Sequence, residues 1–260
     1  MIRIEKQKCI GCKKCVSICP FTVLEMADDK AQLVENKFCL ECLHCAAACP
    51  KQAISLGEKA GIIDEEVAEL PEDFINLLES HVMTRRSYRH FKENPVERDV
   101  LKRALHVASW APSAKNQHPT NWMVVDSKEI IDQMMQHIVD FVKETGTSPE
   151  VISELENGNN CVIGTAPTLL LAYAADKTIN PIADTAIAVT TVELLLQAQE
   201  IGTCWAGYLT RFCNGIPQLK ELFELPEGSS FYAALMLGYP DKEEYPAIPE
   251  RAKTQEIKWL

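Results

Sequence analysis

The 260-residue chain predicts an α+β fold in two parts, a small cysteine-rich module followed by a larger layered domain. Three observations carry that expectation. Eight of the 11 cysteines lie within the first 49 residues, in two runs that align without gaps at an offset of 30. Beyond Gly57, helix-like and strand-like segments alternate without a regular β-α-β repeat, which favours a layered α+β domain. No Walker A loop and no G-x-G-x-x-G occurs, so a dinucleotide-binding fold is not expected. The expected division is residues 1–60 and 61–260.

The first module is read from "CIGCKKCVSICP" at Cys9 and "CLECLHCAAACP" at Cys39. Disulfides suit an oxidising compartment, and "MIRIEKQKC" carries no apolar run resembling a signal peptide. The expectation is therefore a reducing, cytoplasmic setting. Structural zinc usually takes two ligands from each of two separated pairs, whereas here three thiols crowd into seven residues. The spacing C-x2-C-x2-C-x3-C-P is the bacterial two-cluster ferredoxin run, and two copies of it predict two [4Fe-4S] clusters. Gly11 suits a loop whose backbone passes close to a cluster. Glu41 stands at the equivalent place in the second loop, and His44 reads as a solvent-facing loop residue.

Residues 1–57 thus resemble the bacterial 2[4Fe-4S] ferredoxins. The resemblance implies that the fourth cysteine of each run serves the other cluster. One set is then Cys9, Cys12, Cys15 and Cys49, and the other Cys39, Cys42, Cys45 and Cys19.

The acidic segment 58–74 reads as a linker, with a helix starting near Pro71. Residues 94–110 read as a helix with an Asn cap and a first-turn proline. "NWMVVD" reads as a strand, and "SKEIIDQMMQHIVDFVKETG" as an amphipathic helix closing near Gly146, with Met134 and Met135 in the core. Residues 166–175 form a continuous apolar run, the mark of a buried strand. Residues 183–202 read as a helix apolar on nearly every face, central or at an oligomer interface. "TCWAGYL" and "FYAALMLGYP" complete the strands. Cys161, Cys204 and Cys213 lack metal-ligand spacing and read as buried, inert thiols. Asp184 reads as a helix N-terminal charge favoured by the dipole.

Formal net charge is −11, from 26 basic and 37 acidic residues, which argues against general nucleic-acid binding. No apolar run reaches the length of a membrane span.

One constellation in the second part carries chemistry. "RRSYRHF" (85–91) places three arginines and a serine within five residues. Guanidinium forks and a serine hydroxyl can clamp a phosphate. After it come "ASWAPSAKNQHPTNW", the apolar helix, "IGTCWAGYL", "LGYP" and a late Arg251. In this order the motifs resemble the nitroreductase family of FMN-dependent oxidoreductases, over roughly residues 80–255. The resemblance implies a nitroreductase-like layered domain whose homodimer binds FMN at the subunit interface. It also implies that Arg85, Arg86, Ser87, Arg89 and Arg251 hold the phosphate and ribityl chain. Ser113 and Asn116 would reach the isoalloxazine, and Gly207, Tyr208 and Leu209 would meet the ring largely through backbone. His118, Pro119 and Thr120 stand where the family often has Gln-Pro-Trp, so the pocket wall differs, and His118 reads as an exposed loop residue.

The expected activity follows. Clusters carry electrons singly and flavin carries one or two, so their fusion predicts reduction of a small electrophile such as a nitroaromatic, quinone or enone. Electrons would come from ferredoxin or another redox protein, or from NAD(P)H stacking transiently on FMN. The alternatives are an electron carrier for a protein partner and a specialised flavin reductase or dehalogenase of the same fold.

Overall fold

The computed structural model describes residues 2–57, 68–241, 244–250 and 255–260. The chain forms two compact units, Met1–Leu70 with Lys115–Gln117, and Pro71–Ala114 with His118–Leu260. The expected 60/61 boundary and most of the expected linker fall on residues 58–67, outside the described residues.

The first unit is built twice over. β1 (Ile2–Ile4) pairs antiparallel with β4 (Ile54–Leu56), and β2 (Leu24–Ala27) with β3 (Lys30–Leu33). Two short helices, α1 (Lys14–Ile18) and α2 (His44–Ala47), start inside the two cysteine runs. The duplication persists in the backbone. Gly11, Lys13 and Thr22 have positive φ, and so do Glu41, Leu43 and Gln52 at the same offset of 30. Gly11 is required by geometry, because a Cβ there would lie 2.5 Å from the Asp29 carbonyl oxygen. The unit's core is small, formed by residues such as Ile2, Val23, Leu24, Ala46 and Ile54.

The second unit begins with α3 (Phe74–Thr84) and α4 (Arg98–Ala108). It continues through β5 (Asn121–Val125), α5 (Lys128–Thr145), α6 (Glu150–Glu156) and β6 (Thr168–Ala175). It closes with α7 (Pro181–Gln197), β7 (Gly202–Trp205), α8 (Gly207–Gly215), α9 (Pro217–Leu222) and β8 (Ser229–Gly238). The four strands form one antiparallel sheet in the order β5-β6-β8-β7. Side chains alternate across it. Leu169 and Leu171 of β6 pack with Met134, Ile138, Phe212 and Leu219 on one face. Leu170 and Ala172 pack with Leu101, Val189, Val192 and Leu196 on the other. Both faces are covered, which is why β6 reads as one apolar run rather than as an alternation. The expected α+β layered class is the observed one.

Several boundaries differ from expectation, each for a tertiary reason. Helix α4 starts at Arg98 rather than near Asn94, because the Val96 N–H is taken by Thr168 Oγ1 at 3.1 Å and the Val96 side chain is buried. Helix α7 ends at Gln197, and Gly202 already belongs to β7. The segment "TCWAGYL" is strand only as far as Trp205, after which Gly207–Leu209 open helix α8. Helix α5 matches its reading: Ser127 Oγ caps it by accepting from the Ile130 N–H, and Gly146 ends it in a left-handed turn. Cys204 and Cys213 are buried, and burial pushes the Cys213 thiol up to about 12. Cys161 is only half-buried, a departure from the expected buried thiol.

Candidate functional site

In the first unit, two hollows are each lined by four thiols. Cys9, Cys12, Cys15 and Cys49 line one, and Cys19, Cys39, Cys42 and Cys45 line the other. The last cysteine of each run therefore faces the opposite run's hollow. All eight thiols are free of disulfides. Backbone N–H groups point at the sulfurs: Val23 to Cys19 at 3.4 Å and Ala53 to Cys49 at 3.3 Å, again related by the offset of 30. Ala31 donates to Cys9 at 3.5 Å and Glu41 to Cys39 at 3.3 Å. The two bonds to Cys9, from Ala31 and Gly11, hold its thiol below the ordinary cysteine value. Such donors stabilise thiolates and tune a cluster's potential. Among the described residues, no three His, Cys, Asp or Glu side chains converge as a single metal ion would require. Four thiols lining each hollow are a donor set that fits an iron–sulfur cluster.

In the second unit, the basic strip that follows α3 runs beside β7. Ser87 forms a parallel bridge with Thr203, and the Tyr88 N–H donates to the Thr203 carbonyl at 2.9 Å. Two residues one helical turn apart on α7 hold this strip. Gln197 accepts from the Arg86 N–H at 3.2 Å and donates to the Arg86 carbonyl at 2.8 Å. Glu193, only 4% exposed, accepts from Arg85 at 3.3 Å, from the Thr203 hydroxyl at 2.9 Å and from the Trp205 indole at 3.3 Å.

The four strip residues are therefore not equivalent. Arg85 is committed to a buried carboxylate. Arg86 donates to the carbonyls of Met83 and Arg85 at 2.7 and 2.8 Å, and its guanidinium lies 5.9 Å from the Tyr245 ring centroid. Arg89 is exposed and donates to the Ser87 carbonyl at 3.2 Å. Glu193 and Gln197 were absent from the sequence reading. The one signal was an acid inside the apolar run "VELLLQ".

The remaining candidates lie elsewhere. Ser113 Oγ accepts from the His118 N–H at 2.9 Å, and Asp184 Oδ1 accepts from the Ala114 N–H at 2.8 Å. Asp184 does sit in the first turn of α7, but it is buried and bonded rather than a surface charge. Asn116 belongs to the first unit, where its Nδ2 donates to the Leu40 carbonyl at 3.1 Å. His118 is exposed. At the start of α8, a Cβ added to Gly207 would meet nothing within 4 Å, so that backbone is open to a flat ligand. The Tyr208 hydroxyl donates to Glu150 at 2.9 Å, and the Leu209 side chain is wholly buried. That burial is of the whole residue, so the Leu209 backbone is buried with its side chain, against the expected ring contact. Arg251 lies outside the described residues.

The open Gly207 backbone and the exposed Arg89 fit a flavin's ring and phosphate. Arg85, neutralised by Glu193, fits a phosphate less well.

Comparison with known proteins agrees with both units. Residues 82–239 match the sequence model of the nitroreductase family, and residues 1–50 match that of a 4Fe-4S dicluster domain. A protein of Archaeoglobus fulgidus named NADH dehydrogenase/NAD(P)H nitroreductase is 26% identical over 182 residues, covering 68% of this chain and 96% of that one. The Bacillus subtilis protein YfhC, named an NAD(P)H nitroreductase, is 25% identical over 181 residues, covering 68% and 90%. A crystal structure of a Bacteroides fragilis nitroreductase with bound FMN superposes with a TM-score of 0.60 at 20% identity, covering 69% of this chain and 97% of that one. That likeness is one of fold.

Proposed function

The chain belongs to the nitroreductase family and carries a 4Fe-4S domain at its N-terminus, and from that premise we propose an FMN-dependent oxidoreductase with its own iron–sulfur electron supply. The reading assigns two [4Fe-4S] clusters to the two four-thiol hollows, and one observation supports it above the rest: eight thiols divide four and four, each set drawn from both runs. When bound, clusters exchange electrons singly and flavin singly or in pairs, so together they convert one-electron supply into two-electron reduction.

The protein's own residues bind and orient. Arg86, Ser87 and Arg89 are proposed to hold the flavin phosphate and ribityl chain, with Arg251 joining them. Arg85 is proposed to act from behind, fixed by Glu193. Ser113 and Asn116 are proposed as ring contacts, as is the backbone of Gly207 and Tyr208. The acceptor is proposed to be a small electrophile, a nitroaromatic, quinone or enone, and the donor ferredoxin or NAD(P)H.

A homodimer in the cytoplasm completes the reading. It is supported by the apolar side chains that α3 leaves exposed. Among the described residues no helix is long and apolar enough to cross a membrane.

The test is anaerobic purification with an absorbance spectrum, flavin extraction and iron counting. About eight irons per chain, two [4Fe-4S] clusters' worth, with bound FMN, is the expected result. A preparation that stays flavin-free after reconstitution with FMN would sink the reading.

A further inference from the structure

The two four-thiol hollows are copies at an offset of 30, yet their linings differ in charge. Lys13 and Lys51 line the first, and no acidic side chain does. Their counterparts at the same offset are Leu43 and Phe21, which line the second hollow, where no lysine, arginine or acid stands. Neither run accounts for this sorting alone. Lys13 and Leu43 lie inside the runs, whereas Lys51 and Phe21 follow the fourth cysteines, Cys49 and Cys19, each of which lines the other run's hollow. The crossing therefore collects one lysine from each repeat at the first hollow and one apolar side chain from each at the second.

Lys13 and Lys51 are exposed, and neither has an acidic partner among the described residues. Lys14, next in the chain, is exposed as well, where the second run has His44. Lys30 adds a further charge from β3, its Nζ donating to the Cys9 carbonyl at 2.6 Å. The nearby acid Glu5 is already paired with Lys8 at 2.9 Å. The mouth of the first hollow also bares an apolar side chain and a thiol: Ile10 is 59% exposed, and Cys12 is exposed. Residues 1–57 hold 8 basic and 6 acidic side chains in a chain of net charge −11, so the basic face is a local feature.

We propose that the rim of the first hollow docks a small acidic one-electron carrier protein, with Ile10 in the contact and Lys13, Lys14 and Lys51 as its charged rim. The proposal rests on the reading that this hollow holds a cluster. One electron passes from the reduced carrier to that cluster; the carrier is oxidised by one electron, the cluster is reduced by one, and no bond forms and no proton moves. Apolar centres with polar rims are the usual anatomy of protein contacts, and electron-transfer encounters bury little area. Rim charges act chiefly on the rate of encounter, and salt screens them. An acidic carrier is repelled by the net charge of the chain, which makes a basic face its favoured approach. Nucleic acid and anionic membranes also attract lysines, but a contact with either gains nothing from a bared cluster thiol.

The probe is a small acidic ferredoxin, titrated in its oxidised form into the anaerobically purified full-length holoprotein, then mixed with it in reduced form by stopped flow. Binding that weakens steeply with added salt is expected. Lys13→Glu with Lys51→Glu lowers the second-order rate constant of cluster reduction about tenfold or more at low salt, and the gap closes at high salt. Lys143→Glu with Lys177→Glu makes the same charge change at exposed lysines of the second unit and lowers the rate far less. A parent rate indifferent to salt, equal rates in the parent and the first variant, or equal losses in both variants overturns the proposal. So does lysine-dependent binding to phosphatidylserine vesicles with none to ferredoxin, which makes the face a membrane contact. Iron is counted separately. Full iron without lysine dependence removes the docking face and leaves the cluster reading standing. Salt-sensitive ferredoxin binding that the first variant loses, in a protein without iron, leaves the face standing and the cluster reading fallen.

Discussion

Arg85 and Arg89 fall in one short basic stretch of sequence, yet their surroundings differ. Arg85 faces Glu193, a buried carboxylate, whereas Arg89 is exposed. Arg89→Ala is expected to weaken FMN about ten- to hundred-fold, the loss of one charge-assisted contact of about 1.5–3 kcal/mol. Arg98→Ala, the control, removes an exposed ion pair to Asp126 and should leave FMN affinity unchanged. A flavin fluorescence titration compares the two, and equal affinities would return the strip to a solvated patch. Arg85→Ala is expected to act on stability instead. It strips a donor from buried Glu193, at a cost of about 1–3 kcal/mol, and thermal melting should show the drop. Adding Glu193→Gln should recover part of it, because a neutral amide tolerates the missing cation better than a carboxylate does.

At the scale of elements, the two cysteine runs and their helices α1 and α2 are one motif used twice. Only the last cysteine of each run lines the other run's hollow. Cys49→Ala is therefore expected to damage the cluster proposed for Cys9, Cys12 and Cys15, and EPR with iron counting should detect it. Loss confined to the other cluster would show that thiols lining one hollow do not share one cluster. Helix α3 poses a different problem, because it buries no side chain of its own. Ile75 and Leu77 are 58% and 53% exposed, and Leu78, Val82 and Met83 are exposed with them. An apolar helix left this bare in a monomer marks an interaction surface. Ile75→Glu with Leu78→Glu is expected to shift the proposed homodimer toward monomer, as measured by sedimentation. An unchanged dimer would place the interface elsewhere.

For the whole molecule, the proposed partnership of clusters and flavin makes a kinetic prediction. Protein depleted of its clusters, with FMN retained, should be reduced by dithionite or NAD(P)H at close to the parent rate. It should lose rapid reduction by reduced ferredoxin, a one-electron donor, and stopped-flow spectroscopy of the full-length chain separates the two cases. Equal rates with ferredoxin would show that electrons do not enter through the clusters.

The sequence by itself determined the features whose causes are local. A 2-2-3 cysteine spacing repeated at an offset of 30 is a short-range constraint that survives in any fold, and the backbone repeats it at Gly11, Lys13 and Thr22 against Glu41, Leu43 and Gln52. Helix α5 was legible from its amphipathic pattern and closing Gly146, and β6 from the continuous apolar run of a strand buried on both faces. The order of motifs, read over roughly residues 80–255, carried the family, whose model matches residues 82–239. What only the tertiary structure decided depends on partners far apart in the chain. Glu193 meets Arg85 across 108 residues, and Asp184 meets Ala114 across 70. No local pattern sets the burial of those two carboxylates. Packing of α7 against the strip and the sheet does, and it sets an arginine paired with a buried carboxylate apart from an exposed one and leaves one oxygen of Asp184 without a donor.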